Sequence, residues 1–194
     1  MIVKEPARDV PVAHECDICV VGGSCTGVFA AVRAARLGAS VAVVDKQNAF
    51  GGTASNGQVH VWHSLEDTER RRTIIGGLTR EVIDRLVGRN AALLDPDNPN
   101  QATRMNSEEL KIELDELVRE HGITPLLHAM YAAALVADDG RIEAVCVETK
   151  SGRQAIRAKV FIDATGDGDL AAQLGVPFGV DENLQPPTTC AKIR

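Results

Sequence analysis

Between residues 17 and 44 the hydrophobic pattern is at its clearest. Asp17-Ile18-Cys19-Val20-Val21 is an apolar run of strand length, as a strand buried on both faces requires. Gly22 to Gly27 interrupts it as a turn, and Val28 to Leu37 carries small and apolar residues of helical character until Gly38 closes the segment. Val41 to Val44 is a second buried strand and ends in Asp45. Farther along, Val82, Ile83, Leu86 and Val87 predict a helix from about Leu78 to Asn90. Asp95 to Asn100, DPDNPN, reads as a turn-rich loop. Asn106 is placed as an N-cap with Glu109 in the capping-box position, opening a helix whose buried face is Leu110, Leu114, Leu117 and Val118 and which ends near Gly122. From Ile123 the periodicity shortens to that of strands. Ile123 to His128 is followed by a three-stranded meander, Tyr131 to Ala137, Ile142 to Thr149 and Gln154 to Ala158, with turns at Asp138-Asp139-Gly140-Arg141 and Ser151-Gly152-Arg153. Val160 to Ala164 is then a last buried strand, and Asp169 is expected to cap a short helix from Leu170 to Leu174.

These elements predict an α/β fold. Its parallel sheet contains Asp17 to Val21, Val41 to Val44, Ile123 to His128 and Val160 to Ala164, with helices on one face and the meander on the other. Residues 1–15 read as an N-terminal extension, and 16–194 as one domain with a helical insert over about 60–105.

The first unit carries candidate chemistry. Gly22 permits a sharp exit from the strand, Gly27 lets helix and strand approach closely, and the helix N-terminus presents backbone N–H groups and partial positive charge to a pyrophosphate. Asp45 lies 18 residues beyond Gly27, where a carboxylate can accept from a ribose diol. Strand, glycine turn, helix, strand and acid in this order point to a dinucleotide site on Gly22, Gly23, Ser24, Cys25, Thr26, Gly27 and Asp45. The bland reading is a plain βαβ unit whose glycines serve only the turn. Ser24 stands where the usual pattern has its second glycine, and a hydroxyl there can donate to a phosphate oxygen.

Lys46 follows Asp45, then Gly51-Gly52-Thr53-Ala54-Ser55-Asn56-Gly57, and much later Ala164-Thr165-Gly166-Asp167-Gly168-Asp169-Leu170-Ala171-Ala172 closes the last strand. In these motifs, with Gly76-Gly77-Leu78-Thr79-Arg80-Glu81 and Leu126-Leu127-His128, the chain resembles FAD-dependent oxidoreductases with the glutathione-reductase type of fold, distantly related to the fumarate reductase and succinate dehydrogenase flavoproteins. The resemblance runs from about Asp9 to the last residue. It implies a Rossmann-like FAD/NAD(P)-binding domain with a β-meander crossover, and a flavin that transfers a hydride or an electron pair. Lys46, Gly51, Gly52 and Thr53 would then return along the pyrophosphate, Ala164, Thr165 and Gly166 would pass close to the ribose and pyrophosphate, and the backbone of Met130 and Tyr131 would reach the adenine. In succinate dehydrogenase relatives a histidine in the loop after the second strand carries the flavin; Gly51 to Asn56 contains none, so FAD is expected to be held without a covalent bond.

Two other readings stand beside this one. A nicotinamide-dependent (NAD) dehydrogenase shares the opening motif but would continue with alternating strands and helices after Asp45. A truncated, non-catalytic nucleotide-binding protein is the other. Relatives of this kind continue with a substrate domain and a C-terminal return to the flavin, so a further C-terminal portion or a partner chain is expected, and the isolated chain is expected to lack efficient turnover. The substrate is expected to be a small molecule of unidentified type, and no catalytic residue is assigned.

Composition narrows the remaining classes. With 44% hydrophobic and 25% charged residues the chain can bury a substantial core, but 3% aromatics leave that core to Ala, Val, Leu and Ile. A net charge of −6 argues against a nucleic-acid partner, and Arg70-Arg71-Arg72 follows Glu66, Asp67 and Glu69 closely enough to be locally neutralised. The N-terminus MIVKEPARDVPVAHE lacks a signal-peptide pattern, and the longest apolar stretch, Leu126 to Ala137, is too short for a bilayer, so a cytoplasmic location without a membrane partner is expected. Five cysteines without regular spacing fit a reducing compartment, and Cys16 and Cys19, three apart in a strand, are expected to point to opposite faces as ordinary core thiols. Cys25 reads better as a small residue beside phosphate than as an activated thiol. His60 and His63 are candidates for proton transfer or attachment near a flavin, against the commoner case of loop histidines satisfied by backbone; His128 reads as structural. Asp163, Asp167 and Asp169 lack the framework of a calcium loop, and no metal is expected.

Overall fold

The computed structural model of the protein describes residues 2–4, 6–94, 102–184 and 186–191; the expected loop Asp95 to Asn100 lies outside them. The first strand, β1 (Val12–Val21), is central, and it begins well before Asp17, so part of the expected extension belongs to the sheet. It is followed by α1 (Cys25–Arg36) and β2 (Val41–Val44), which pairs parallel to β1 from Ile18↔Val41 to Val21↔Val44. The helix starts three residues earlier than the apolar pattern suggests, because Ser24 acts as its N-cap and accepts from the Gly27 N–H through Oγ.

The insert departs from the helical expectation. It contains one helix, α2 (Leu78–Gly88), and three short strands, β3 (Val61–Trp62), β4 (Ala92–Leu94) and β5 (Thr103–Met105), paired antiparallel in the order β3-β5-β4. After it comes α3 (Ser107–Glu120), whose N-cap is Asn106 as expected, accepting from the Glu108 N–H at 3.0 Å. The capping box itself does not form. The Asn106 N–H donates to the Ala91 carbonyl, and Glu109 pairs with Arg89 instead.

The rest of the chain completes the main sheet. β6 (Thr124–Leu126) pairs parallel to β2, and β7 (Met130–Val136), β8 (Ile142–Thr149) and β9 (Gly152–Asp163) come after it, giving the order β6-β2-β1-β9-β8-β7. The third meander strand and the last parallel strand are one element. β9 pairs antiparallel with β8 over its first half and parallel with β1 from Ala155 to Asp163. The meander is thus hydrogen-bonded into the sheet through β9 while it also covers one of its faces. α4 (Asp169–Gln173) ends the regular structure.

Alternation along the central strands sorts the core into two layers. Val20 and Val43 join Val28, Val32, Leu114 and Leu117 beneath the helices, whereas Cys19, Val21 and Val44 meet Val145, Val147 and Ile156 beneath the meander. Cys16 packs on the same meander-side cluster as Cys19, so the two thiols are not separated onto opposite faces; both are free. The strand expected to reach His128 stops at Leu126, and His128 is exposed in a turn with φ 52°. Two glycines are demanded by close approach. A Cβ on Gly22 (φ +108°) would lie 2.2 Å from the Ala164 carbonyl oxygen, and one on Gly27 would lie 1.9 Å from the Gly22 oxygen.

An ion-pair cluster ties the three long helices together. Glu113, almost fully buried, receives Arg85 at 2.9 Å and Arg89 at 3.2 Å, while Arg85 also reaches Glu81 and Glu120, and Glu81 pairs with Arg36 of α1 at 2.7 Å. Glu120 and Glu113 on its guanidinium raise Arg85 above its ordinary value despite opposing desolvation.

Candidate nucleotide site

The ends of β1, β2 and β9 converge where α1 begins. Asp45, immediately after β2, accepts from the Gly23 N–H at 2.5 Å through Oδ2 and from the Gln47 N–H at 2.6 Å through Oδ1. Each carboxylate oxygen has two lone pairs, so both remain able to accept a hydroxyl. The neighbouring backbone is fixed by the Gly22 N–H on the Val44 carbonyl, the Ala164 N–H on the Val21 carbonyl and the Gly51 N–H on the Gly23 carbonyl. Three loops from distant parts of the sequence, Gly22 to Thr26, Gly51 to Thr53 and Ala164 to Gly166, are thereby held together.

Two cavities flank this junction. The smaller, about 70 Å³, is lined by Gly22, Asp45, Lys46, Met130, Tyr131 and Thr165. The larger, about 450 Å³, is lined by Ser24, Cys25, Thr26, Gly51, Thr53 and Gly166. The other residues singled out in sequence support these walls from within. Gly23 holds Asp45, Gly27 is the contact point of helix and strand, Gly52 approaches Ser24, and Ala164 is bonded to the end of β1.

The electrostatics suit an anion at α1. No acid occupies its first turn, and the Thr26 N–H has no acceptor among the described residues. Ser24 Oγ accepts from Gly27, which leaves its own proton to donate. Cys25, also at this helix end, is not an activated thiol. Burial pushes it up to about 12, so it fills space beside the turn as a neutral group.

The sequence pattern does not reveal the role of Asp163. Its Oδ2 accepts from the Leu170 and Ala171 N–H groups at 3.0 Å each, and its Oδ1 from the Thr165 N–H and hydroxyl at 3.1 and 2.8 Å. Thr165 Oγ1 in turn receives the Asp167 and Asp169 N–H groups. Asp163 is therefore the side chain that caps α4; Asp169, expected in that role, makes no cap bond. Burial acts to raise the Asp163 carboxyl, but the N–H donors of Ala171, Thr165 and Leu170 and the Thr165 hydroxyl outweigh it and hold the group below its ordinary value. An Asp two residues before a Thr and six before a helix start was the available signal.

The histidines separate in space. His60 is exposed and lines a third, larger cavity with Gln58 and Arg104, whereas His63 is exposed and lines none of these three. The arginine run behaves as expected, with Arg71 paired to Glu69 and Arg72 to Asp67. Among the described residues there is no group of three or more His, Cys, Asp or Glu that could hold a metal ion, and no helix long and apolar enough to cross a membrane.

Comparisons with known proteins bear on the family and the fold. The family described as FAD dependent oxidoreductase matches residues 17–194. Mitochondrial dihydrolipoyl dehydrogenase of Schizosaccharomyces pombe is 34% identical over 76 residues, which cover 34% of this chain and 15% of that protein. Among solved structures, THI4 of Thermovibrio ammonificans superimposes with a TM-score of 0.61 at 17% identity, covering 86% of this chain and 64% of that one. A flavocytochrome c3 fumarate reductase in its open conformation gives 0.56 at 20% identity, covering 78% and 34%. The chain thus spans less than two thirds of each of these proteins, and at such identities the structural likeness establishes the fold. With the family match extending over nearly the whole chain, the protein belongs to the FAD-dependent oxidoreductase family.

Proposed function

We propose that this chain holds FAD non-covalently by its adenosine and diphosphate end and serves an oxidoreductase reaction. When bound, the flavin supplies the capacity to accept or donate a hydride or an electron pair. Asp45 accepts the ribose hydroxyls, Lys46 and the Met130–Tyr131 backbone line the adenosine side, and Ser24, Thr26 and the start of α1 meet the diphosphate. Gly51, Gly52 and Thr53 on one side, and Ala164, Thr165 and Gly166 on the other, close the two walls. The observation that carries this reading is the placement of Asp45 against the Gly23 N–H, one wall away from the donor-rich, acid-free start of α1.

A NAD-dependent dehydrogenase is disfavoured by the course of the chain after β2, where an insert with its own small sheet and a meander crossover replace alternating strands and helices. Purified protein titrated with FAD and with NAD separates the two. FAD should bind, show a perturbed flavin spectrum and be released intact by acid denaturation. Tight NAD binding with no FAD binding would overturn the proposal, and flavin retained after denaturation would overturn its non-covalent part.

A further inference from the structure

A cavity of about 780 Å³ lies outside the nucleotide site, between the small β3-β5-β4 sheet, the start of α3 and Cys190-Ala191. Its volume is that of a small-molecule site, and its walls combine apolar Ala92, Leu93 and Met105 with a few polar groups. Two of those groups lack partners. The exposed Arg104 guanidinium, on β5 between buried Thr103 and Met105, makes no ion pair or hydrogen bond among the described residues, although this chain pairs many of its other arginines. Gln58 Oε1 is buried and has no hydrogen-bond partner. Buried acceptors are nearly always satisfied, and because Gln58 lines this cavity, a rotation of its side chain would offer the orphan oxygen to a donor there. The Gln58 backbone is held at φ 57°, and its carbonyl receives the His60 Nδ1 at 3.1 Å. A carbonyl can only accept, so Nδ1 carries the proton and Nε2 is left for a ligand. The acid on the same wall, Glu108, is engaged by Lys111 and does not neutralise Arg104.

We propose that this cavity binds a carboxylic acid that also bears a hydroxyl group on an apolar skeleton, with the carboxylate on Arg104 and the hydroxyl donating to Gln58 Oε1. A guanidinium is matched to a carboxylate by charge and geometry. A hydroxyl supplies the donor that Gln58 lacks, and the apolar wall takes the skeleton. Gln58 and His60 come directly after the Gly51 to Gly57 segment, so the occupant would sit at the far end of the loop that starts at the nucleotide site. That this occupant is the electron partner of the flavin rests on the function proposed above; its binding does not.

The test is calorimetric titration of the purified chain, with and without saturating FAD, using three probes: mandelate, phenylacetate, which lacks the hydroxyl, and mandelamide, which lacks the charge. Mandelate should bind tightest, with phenylacetate weaker by about fivefold and mandelamide by about tenfold or more. Arg104→Gln should abolish the preference for mandelate over mandelamide, and Gln58→Leu the preference over phenylacetate, with circular dichroism confirming that both variants are folded. Equal affinity for all three probes, no binding of mandelate, or unchanged preferences in the two variants would each overturn the proposal. The FAD titration of the same samples is read separately, so a chain that binds mandelate but not FAD keeps this site and loses the flavin assignment.

Discussion

Asp163 shows how much a single carboxylate can organise, since its two oxygens hold Thr165 on one side and the first turn of α4 on the other. Asp163→Ala should lower stability by about 2 kcal/mol, the upper range for a lost helix cap, and loosen FAD binding by disordering the Thr165–Gly166 wall. Its depressed folded-state value fixes the sign of the pH effect. The contribution is present above the ordinary carboxylate value of 3.8 and is lost as pH falls through the lower folded-state value. Denaturant melts of the wild type and Asp163→Asn between neutral and strongly acidic pH should converge at the acid end. Parallel curves would show that Asp163 does not titrate as described. At the same scale Asp45→Ala should weaken FAD by about 1–3 kcal/mol, and unchanged affinity would remove it from the ribose. The thiols give an independent check. Cys190 is exposed, whereas Cys19 is buried and, like Cys25, raised by burial to about 12. Iodoacetamide near neutral pH should therefore modify Cys190 first, and mass spectrometry showing Cys25 modified first would contradict its neutral, space-filling role.

Among the elements, the tightest constraint is where α1 crosses β1. No Cβ can be accommodated at Gly27 without moving the Gly22 carbonyl, so Gly27→Ala should cost about 3 kcal/mol, the upper part of the usual overpacking range, and a near-neutral effect in a thermal melt would refute that contact. Glu113 joins α2 to α3 through Arg85 and Arg89. Its removal leaves two guanidinium groups still partly wetted, so Glu113→Ala should cost about 2 kcal/mol, less than for a fully buried pair. Elements with a local signal could be read from sequence, and those set by distant partners could not. The strand-turn-helix-strand unit was legible because Val20, Val21, Val43 and Val44 lie in uninterrupted apolar runs buried on both faces and because glycine and acid have fixed spacing. The small sheet of the insert was not. Val61–Trp62, Ala92–Leu94 and Thr103–Met105 are too short for periodicity to register, and their pairing joins segments far apart in the chain. Nor could the sequence show β9 running through Lys159 as one strand, since the break suggested there is bridged by continuous pairing with β1. Asn106 was found as a cap by residue type alone. The failure of Glu109 to complete a capping box depended on Ala91 and Arg89, which only the tertiary structure brings into reach.

At the scale of the whole molecule, three separated stretches of chain are brought to the carboxyl ends of the interior strands β2, β1 and β9, and each contributes a different kind of contact. Asp45 offers acceptors, the start of α1 offers donors, and Asp163 shapes the loop that closes the site. On the function proposed above, this division of labour serves the adenosine and diphosphate end of FAD. The most direct measurement is competition at equilibrium, displacing FAD from the purified chain with ADP, which carries the adenosine and both phosphates, and with FMN, which carries the flavin and one phosphate. ADP should displace FAD completely, with an affinity that falls in Asp45→Ala, while FMN at the same concentration leaves FAD bound. Displacement by FMN and none by ADP would contradict the assignment of Asp45 and the glycine turn to the adenosine and diphosphate end.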